Sequence, residues 1–433
     1  MLGWDVQHKR TPSPLKKRKK GKGSKQRASR FGFKEAPAVI TPPQTALKAL
    51  SFVPRSPQRA SLVIPDNAST QSHPLPMATL TFRRIVPLKT SPQPLPRQGH
   101  ASAFHKGSLF VFGGRVQGSG RIYSNDLWKY NPDQNTWEEV MAQDPSLKPC
   151  KRHNHSCVVG TDALYVFGGQ TVSNAYLGDL WRFDLQTLQW TELTPSHPRH
   201  SHAACKHGKS MVIFGGRTGL EPAVYSNEVL TYDFDSNTWT TLYPGDDQSS
   251  AAAVMAPHPR SYTSVVQCGQ CLVVFGGYYW DGKEHYFSDT FGFSLKSRKW
   301  VKLSPLGDER VPHPRNRNGV LSLPVTDGRS ESGMMTFGGN YYNNQRGTDR
   351  FFDDAWWFGS GPGGPLTSGK WSKVILIGDI PCARGHPSWV ADDQVAGRSW
   401  MFGGEANRDR FNDLYEVKAV APRTQSAVGN VET

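Results

Sequence analysis

The chain has 433 residues, of which 37% are hydrophobic, enough for a substantial core and too many for disorder throughout. An aromatic share of 11%, with 42 Gly and 32 Pro, favours short strands joined by tight turns over helices, and no apolar run approaches the roughly 18 residues of a membrane-spanning helix, so a soluble chain with no membrane contact is expected. The formal net charge of +15 sits wholly before residue 96, where 18 Lys and Arg face three acids (Asp5, Glu35, Asp66), so an acidic partner can be argued from charge only for that segment.

Residues 1–78 hold ten prolines, no cysteine and little hydrophobic periodicity, and so bury too little to offset the entropy of ordering; a disordered basic, Pro-rich arm is expected. Within it Lys16, Lys17, Arg18, Lys19 and Lys20, followed by Lys22, Lys25, Arg27 and Arg30, read as a nuclear import signal, with Thr11-Pro and Ser13-Pro placed to mask it on phosphorylation. The same run suits contact with nucleic-acid phosphates or another acidic polymer such as a tubulin tail. The expected localisation is nuclear or nucleocytoplasmic, with a cytoplasmic or cytoskeletal alternative. Met1–Arg10 has no apolar signal-peptide core, and six scattered cysteines suit a reducing compartment.

From Arg97 one pattern recurs six times. A short apolar run ends in Phe-Gly-Gly: Phe112 with Gly113/Gly114, Phe167 with Gly168/Gly169, Phe214 with Gly215/Gly216, Phe275 with Gly276/Gly277, Phe337 with Gly338/Gly339, and Phe402 with Gly403/Gly404. An acidic residue follows (Asp126, Asp179, Glu228, Asp289, Asp354, Asp413), then a tryptophan: Trp137, Trp190, Trp239, Trp300 and Trp371, with none in the sixth repeat. Each unit opens on an arginine, at Arg97, Arg152, Arg199, Arg260, Arg315 and Arg384. The doubled glycines are 47 to 65 residues apart, the signature of a repeat architecture with variable loops.

These residues resemble kelch repeats, and six of them cover about 97–417. The resemblance implies an all-β, six-bladed kelch β-propeller in which each repeat supplies a four-stranded blade. A ring must close, and Thr81-Phe82-Arg83-Arg84-Ile85 aligns with Thr136-Trp137-Glu138-Glu139-Val140, placing Phe82 at the missing tryptophan position. Thr79–Val86 is therefore expected as the outer strand of the last blade, giving a propeller over 79–417 and a C-terminal tail over 418–433.

In such blades the second-to-third loops and the blade-to-blade loops share one face, and most insertions fall there: Arg115–Asn125, Pro244–His258, Tyr278–Ser288 and Asn340–Asp353. Gly359–Lys370 reads as a flap on the other face. The loops of blades 4 and 5 carry Tyr278, Tyr279, Trp280, Tyr286 and Phe287, then Tyr341, Tyr342, Phe351 and Phe352. Those rings suit either an exposed protein-binding hot spot or a plug in the propeller mouth.

His100, His155 and His202 stand three residues after their arginines; hydrogen bonding to the backbone of neighbouring blades is expected of them, and no metal. Glu405, Asp409 and Asp413 are spaced like the acidic iron site of some plant kelch proteins that direct glucosinolate breakdown, but the third residue there is His and here Asp. Cys268-Gly-Gln-Cys271 lies at a strand turn and reads as structural, His153-Asn-His155 begins a strand and is no nuclease motif, and the copper site of the galactose oxidase type cannot be assembled. No cofactor is expected. The resemblance thus implies a non-enzymatic scaffold or adaptor that binds one or more proteins through the long-loop face; its alternatives are a metal-dependent enzyme or a ubiquitin-ligase substrate receptor, though no BTB or F-box domain is recognisable.

Overall fold

A computed structural model of the protein describes residues 78–219, 224–245, 255–303, 311–323, 333–343, 347–359 and 369–420, all within the second of two units, Gln71–Thr433. Residues 1–77 of the expected arm, with Lys16–Lys20, and residues 421–433 lie outside the described residues, while Ala78, expected in the arm, is buried in the core. The described residues form strands and turns, with no α-helix among them.

Five blades are continuous in sequence. Blade 1 is Ala101–His105, Ser108–Val116, Ile122–Asn131 and Thr136–Glu139; blade 2 is Ser156–Val159, Ala163–Phe167, Leu180–Asp184 and Gln189–Leu193. Blade 3 is Ala203–His207, Ser210–Gly219, Val224–Asp233 and Thr238–Tyr243; blade 4 is Ser264–Cys268, Cys271–Phe275, Thr290–Ser294 and Lys299–Lys302. Blade 5 is Gly319–Leu323, Gly333–Phe337, Ala355–Gly359 and Lys370–Lys373. Blade 6 takes Ser388–Ala391, Arg398–Ala406 and Asp409–Val420 from the end of the repeats and Thr79–Ile85 from before them, paired antiparallel so that Phe82 faces Val417. Each inner strand touches that of the next blade, and blade 6 touches blade 1, so the six close into a propeller.

Alternation explains how each blade serves two interfaces. In Ala163–Phe167 every residue is buried; Leu164 and Val166 enter the cluster shared with blade 1, while Ala163, Tyr165 and Phe167 enter the one shared with blade 3. Each repeat tryptophan lies on the Phe-Gly-Gly phenylalanine of the blade before it: Trp190 on Phe112 at 5.3 Å, Trp239 on Phe167 at 4.9 Å, Trp300 on Phe214 at 5.3 Å, Trp371 on Phe275 at 4.6 Å and Trp137 on Phe402 at 5.2 Å. Such pairs contribute roughly 0.5–1.5 kcal/mol beyond the area they bury.

The doubled glycines are required twice over. Gly276 and Gly277 have φ of 66° and 112°, and a Cβ on Gly276 would stand 2.6 Å from the carbonyl oxygen of Arg315 in the next repeat. That same oxygen accepts the Gly277 N–H at 2.9 Å, so the glycine lets one blade clasp the next.

Four features depart from the sequence reading. Arg115–Asn125 is mostly strand, because pairing resumes after a bulge at Phe112/Gly114 and joins Gly114 to Ser124 and Val116 to Ile122. Tyr278–Ser288 and Asn340–Asp353 are built around hairpins, Tyr278–Trp280 with Glu284–Tyr286 and Asn340–Asn343 with Thr348–Phe351. Ile375–Gly378 adds a fifth strand to blade 6, parallel to Thr79–Ile85. The last strand runs past 417 to Val420, which still pairs with Thr79. Residues 246–254 and 360–368, in the expected long loop and flap, lie outside the described residues.

Candidate protein-interaction face and propeller mouth

The repeat arginines are structural. Each is no more than 1% exposed, and each donates from Nη1 to the carbonyl of the first glycine of its own repeat, Arg97 to Gly113 at 2.9 Å and Arg384 to Gly403 at 3.0 Å. Each also meets the acidic repeat residue: Arg97 grips Asp126 in a two-pronged bond at 2.8 Å, and Arg384 holds Asp413 at 2.7 and 2.9 Å. In blades 4 to 6 a phenylalanine two residues before the acid covers the guanidinium, with Phe287 over Arg260 at 3.9 Å, Phe352 over Arg315 at 4.2 Å and Phe411 over Arg384 at 4.4 Å. Phe352 is only 5% exposed and belongs to the blade, not to the open surface.

His100, His155 and His202 are buried between blades, their rings edge-on or tilted against Phe402, Phe112 and Phe167 of the preceding blade at 5.3, 5.4 and 5.2 Å. His100 and His202 bond the hydroxyls of Ser388 and Ser156, each at 2.9 Å, and His100 also meets the backbone of Phe402 in the preceding blade, as expected. Burial, then the nearby Arg97 charge, lowers the His100 pKa to about 3, so it is neutral in the folded protein. Asp413 is committed to Arg384 and Asp409 is exposed at a hairpin end, so the Glu405–Asp409–Asp413 series does not converge; no group of three or more His, Cys, Asp or Glu among the described residues gathers as a metal site. Cys268 and Cys271 face each other across a hairpin turn, and burial pushes the Cys268 thiol up to about 12.

The sequence reading missed the residues two positions after each repeat arginine. Gly99, Asn154, Ser201, Tyr262, Arg317 and His386 all adopt φ between 53° and 60°. Their backbones bond in series around the channel, from Asn154 N–H to Gly99 oxygen at 2.7 Å through Ser201, Tyr262 and Arg317 to His386 N–H on Arg317 oxygen at 2.7 Å. The constant offset from a repeated arginine was the available signal. Most of their side chains look into the mouth on the long-loop face, a cavity of about 990 Å³ also lined by Arg115, Tyr123 and Arg410.

Of the nine loop aromatics of blades 4 and 5, Phe351 alone is among the residues described as lining that mouth. The aromatics run as a belt across three blades: Tyr225 meets Tyr279 at 5.0 Å, Tyr278 meets Tyr286 at 5.3 Å, Tyr286 meets Tyr341 at 4.8 Å, and Tyr341 meets His313 at 4.8 Å. Trp280, at the end of the blade 4 hairpin, is 47% exposed; Tyr342 is half-buried on the neighbouring hairpin; Phe351 lines the mouth. The basic run at Lys16–Lys20 is outside the described residues.

The fold and this sixfold Arg–carboxylate arrangement define a β-propeller of kelch repeats. A family model, the KLHDC2/KLHL20/DRC7 Kelch-repeats domain, matches residues 66–254 and 194–360, and the chain belongs to this kelch-repeat family. It is similar to Kelch domain-containing protein 3 of Bos taurus, 27% identical over 52% of this chain and 58% of that protein, and to Kelch domain-containing protein 10 of Homo sapiens, 28% identical over 48% and 46%. The aligned region thus spans about half the length of those curated relatives. A solved structure, that of YjhT, aligns with a TM-score of 0.49 at 20% identity, covering 64% of this chain and 84% of that one. Kelch-domain proteins are generally protein-interaction modules and generally non-enzymatic.

Proposed function

We propose that the chain is a non-enzymatic scaffold or adaptor that holds a protein partner on the long-loop face, at the tips of the blade 4 and blade 5 hairpins. The observation that carries this reading is the exposure of Trp280 above a belt of interlocked tyrosines. The belt fixes the hairpins, so a partner meets a preorganised aromatic surface and less entropy is lost on binding. Lys16–Lys20 then serve as the nuclear address of the adaptor. Capture from native cells with the wild-type chain and with Trp280→Ala/Tyr342→Ala, compared by quantitative mass spectrometry, tests the reading: proteins lost selectively with a folded variant support it, and an unchanged set rejects this surface.

A further inference from the structure

The arginines of the mouth differ from those of the repeats in one physical respect. Each repeat arginine has a carboxylate oxygen within 2.8 Å. At the mouth, among the described residues, Arg115 reaches the carbonyl of Gly120 at 3.5 Å, Arg121 the side-chain oxygen of Asn174 at 3.1 Å, and Arg410 that of Gln117 at 3.3 Å. Arg317 stands 3.7 Å from Glu405, and Arg408 also lines the cavity. The Nε atoms of Arg115, Arg317 and Arg410 are buried without an acceptor among the described residues. Among the described residues that line it, five guanidiniums share this opening with two carboxylates, Asp349 and Glu405, the second of them the ion-pair partner of Arg317.

Charge left uncompensated in a concave, partly desolvated site is costly unless a counter-charge enters it. Burial and the neighbouring Arg115 both push the Arg410 pKa down, which marks two like charges held close together. The arginines come from the three consecutive blades 5, 6 and 1, so they approach one half of the opening from three directions. That arrangement suits a group with negative charge in several directions better than a single planar carboxylate, which two guanidinium nitrogens satisfy. Tyr123, packed on His153 at 4.3 Å, and Tyr262, under Arg317 at 4.5 Å, supply rigid walls.

We infer that the propeller mouth is a binding site for a multiply charged phosphate group, held by Arg115, Arg317 and Arg410. This site is separate from the aromatic hairpin tips and does not depend on their binding a partner. The phosphates belong either to a free small molecule or to a phosphorylated segment of another protein, and the probes tell these apart.

The full-length chain is titrated calorimetrically with inorganic tripolyphosphate, with a peptide bearing two adjacent phosphoserines, and with the same peptide carrying glutamates. Saturable binding of tripolyphosphate, weakened tenfold or more by Arg115→Gln/Arg410→Gln and unchanged by alanines at Lys16–Lys20, supports the site and a free ligand. Binding of the phosphopeptide alone, lost in the same arginine variant, supports the site with a phosphorylated partner. The inference is overturned if binding disappears with Lys16–Lys20 and survives in the arginine variant, if the glutamate peptide binds as tightly as the phosphopeptide, or if no phosphate probe binds. Thermal unfolding without ligand shows the arginine variant to be folded, and Arg115→Lys/Arg410→Lys, which keeps the charge, should recover part of the binding.

Discussion

Phe82 stands with its ring 5.4 Å from that of Phe337, in the place where every other blade sets a tryptophan against the phenylalanine of the blade before it. A second contact, edge-on to Tyr415 at 6.4 Å, ties it to its own blade. A residue from before the repeats thus completes the hydrophobic seam between blades 5 and 6, inside a cluster that includes Trp357, Met401 and Val417.

Closure by this strand predicts unequal truncations. Removing residues 1–76 leaves Thr79–Ile85 intact and should leave the melting temperature close to that of the full chain, whereas removal through residue 88 exposes the Asp409–Val420 edge and should lower it by many degrees. The point variant Phe82→Ala, at a site only 2% exposed, should cost about 3–5 kcal/mol in urea unfolding. Equal melting temperatures for the two truncations would refute closure by this strand.

The Arg–carboxylate pairs predict a second graded series. Burial raises the Asp126 pKa, but hydrogen bonding to Arg97 and the Arg97 charge, with help from Ser124 and Trp128, more than offset this and leave it below the ordinary value of 3.8. The folded pKa is depressed, so this contribution is full above the unfolded value and is lost as pH falls through the folded one. Asp126→Asn strands a fully buried guanidinium and should destabilise by about 3 kcal/mol or more at pH 7. Asp126→Glu should cost much less, because Glu228 already holds Arg199 at 2.8 Å in blade 3.

The buried histidines predict a loss of stability at mildly acidic pH. His100 is lowered to about 3 by burial, then by Arg97; His200 is lowered to about 3 by burial, then by His153. Each stays neutral when folded but takes up a proton below about 6.5 when unfolded, so stability falls as pH drops from there toward 3. Between pH 7 and pH 5 one such residue contributes about 2 kcal/mol to the loss. Urea unfolding at the two pH values should show it, and His100→Gln should shrink the difference by about that amount. An undiminished difference would mean that His100 is not held neutral.

What the sequence made legible is what recurs in register. Phe-Gly-Gly and the acid meet the same partner in every blade and the tryptophan does so in five, so local pattern alone indicated blades, interfaces and an aromatic substitute at Phe82. The binding face was harder to read because its residues are brought together by ring closure. Arg115, Arg317 and Arg410 come from three blades and lie up to 295 residues apart, and no local spacing announces their convergence. The hairpins at Tyr278 and Asn340 read as loops because their aromatic runs lack polar alternation, and Ile375–Gly378, which joins blade 6, follows the last strand of blade 5 with no turn signal strong enough to announce another strand. Phe287 and Phe352 looked like members of an aromatic patch; their offset from Asp289 and Asp354 shows instead that they cap the repeat arginines.

The basic run carries a prediction independent of the propeller. Alanines at Lys16–Lys20 should abolish nuclear enrichment of the chain in cells while leaving its thermal unfolding unchanged. Undiminished nuclear accumulation would leave a contact with an acidic polymer as the role of the arm, and a salt-sensitive cosedimentation with nucleic acid or microtubules would reveal it.

The aromatic belt separates rings that support from rings that are available. Tyr286 packs against Tyr278 and Tyr341 at 5.3 and 4.8 Å, so Tyr286→Ala should lower the melting temperature and disturb both hairpins. Trp280 is 47% exposed at the tip of its hairpin, and Tyr342 lies half-buried on the next. Removing a buried hot-spot aromatic from an interface typically costs about 2 kcal/mol or more, which corresponds to more than tenfold in affinity. Trp280→Ala/Tyr342→Ala should therefore weaken partner capture at least tenfold at nearly unchanged melting temperature, with Trp280→Phe, which keeps a ring at the tip, in between. A folded double variant that captures the same partners at the same level would move the interface off these hairpins, whereas unfolding of the double variant would show that the two rings hold the face together.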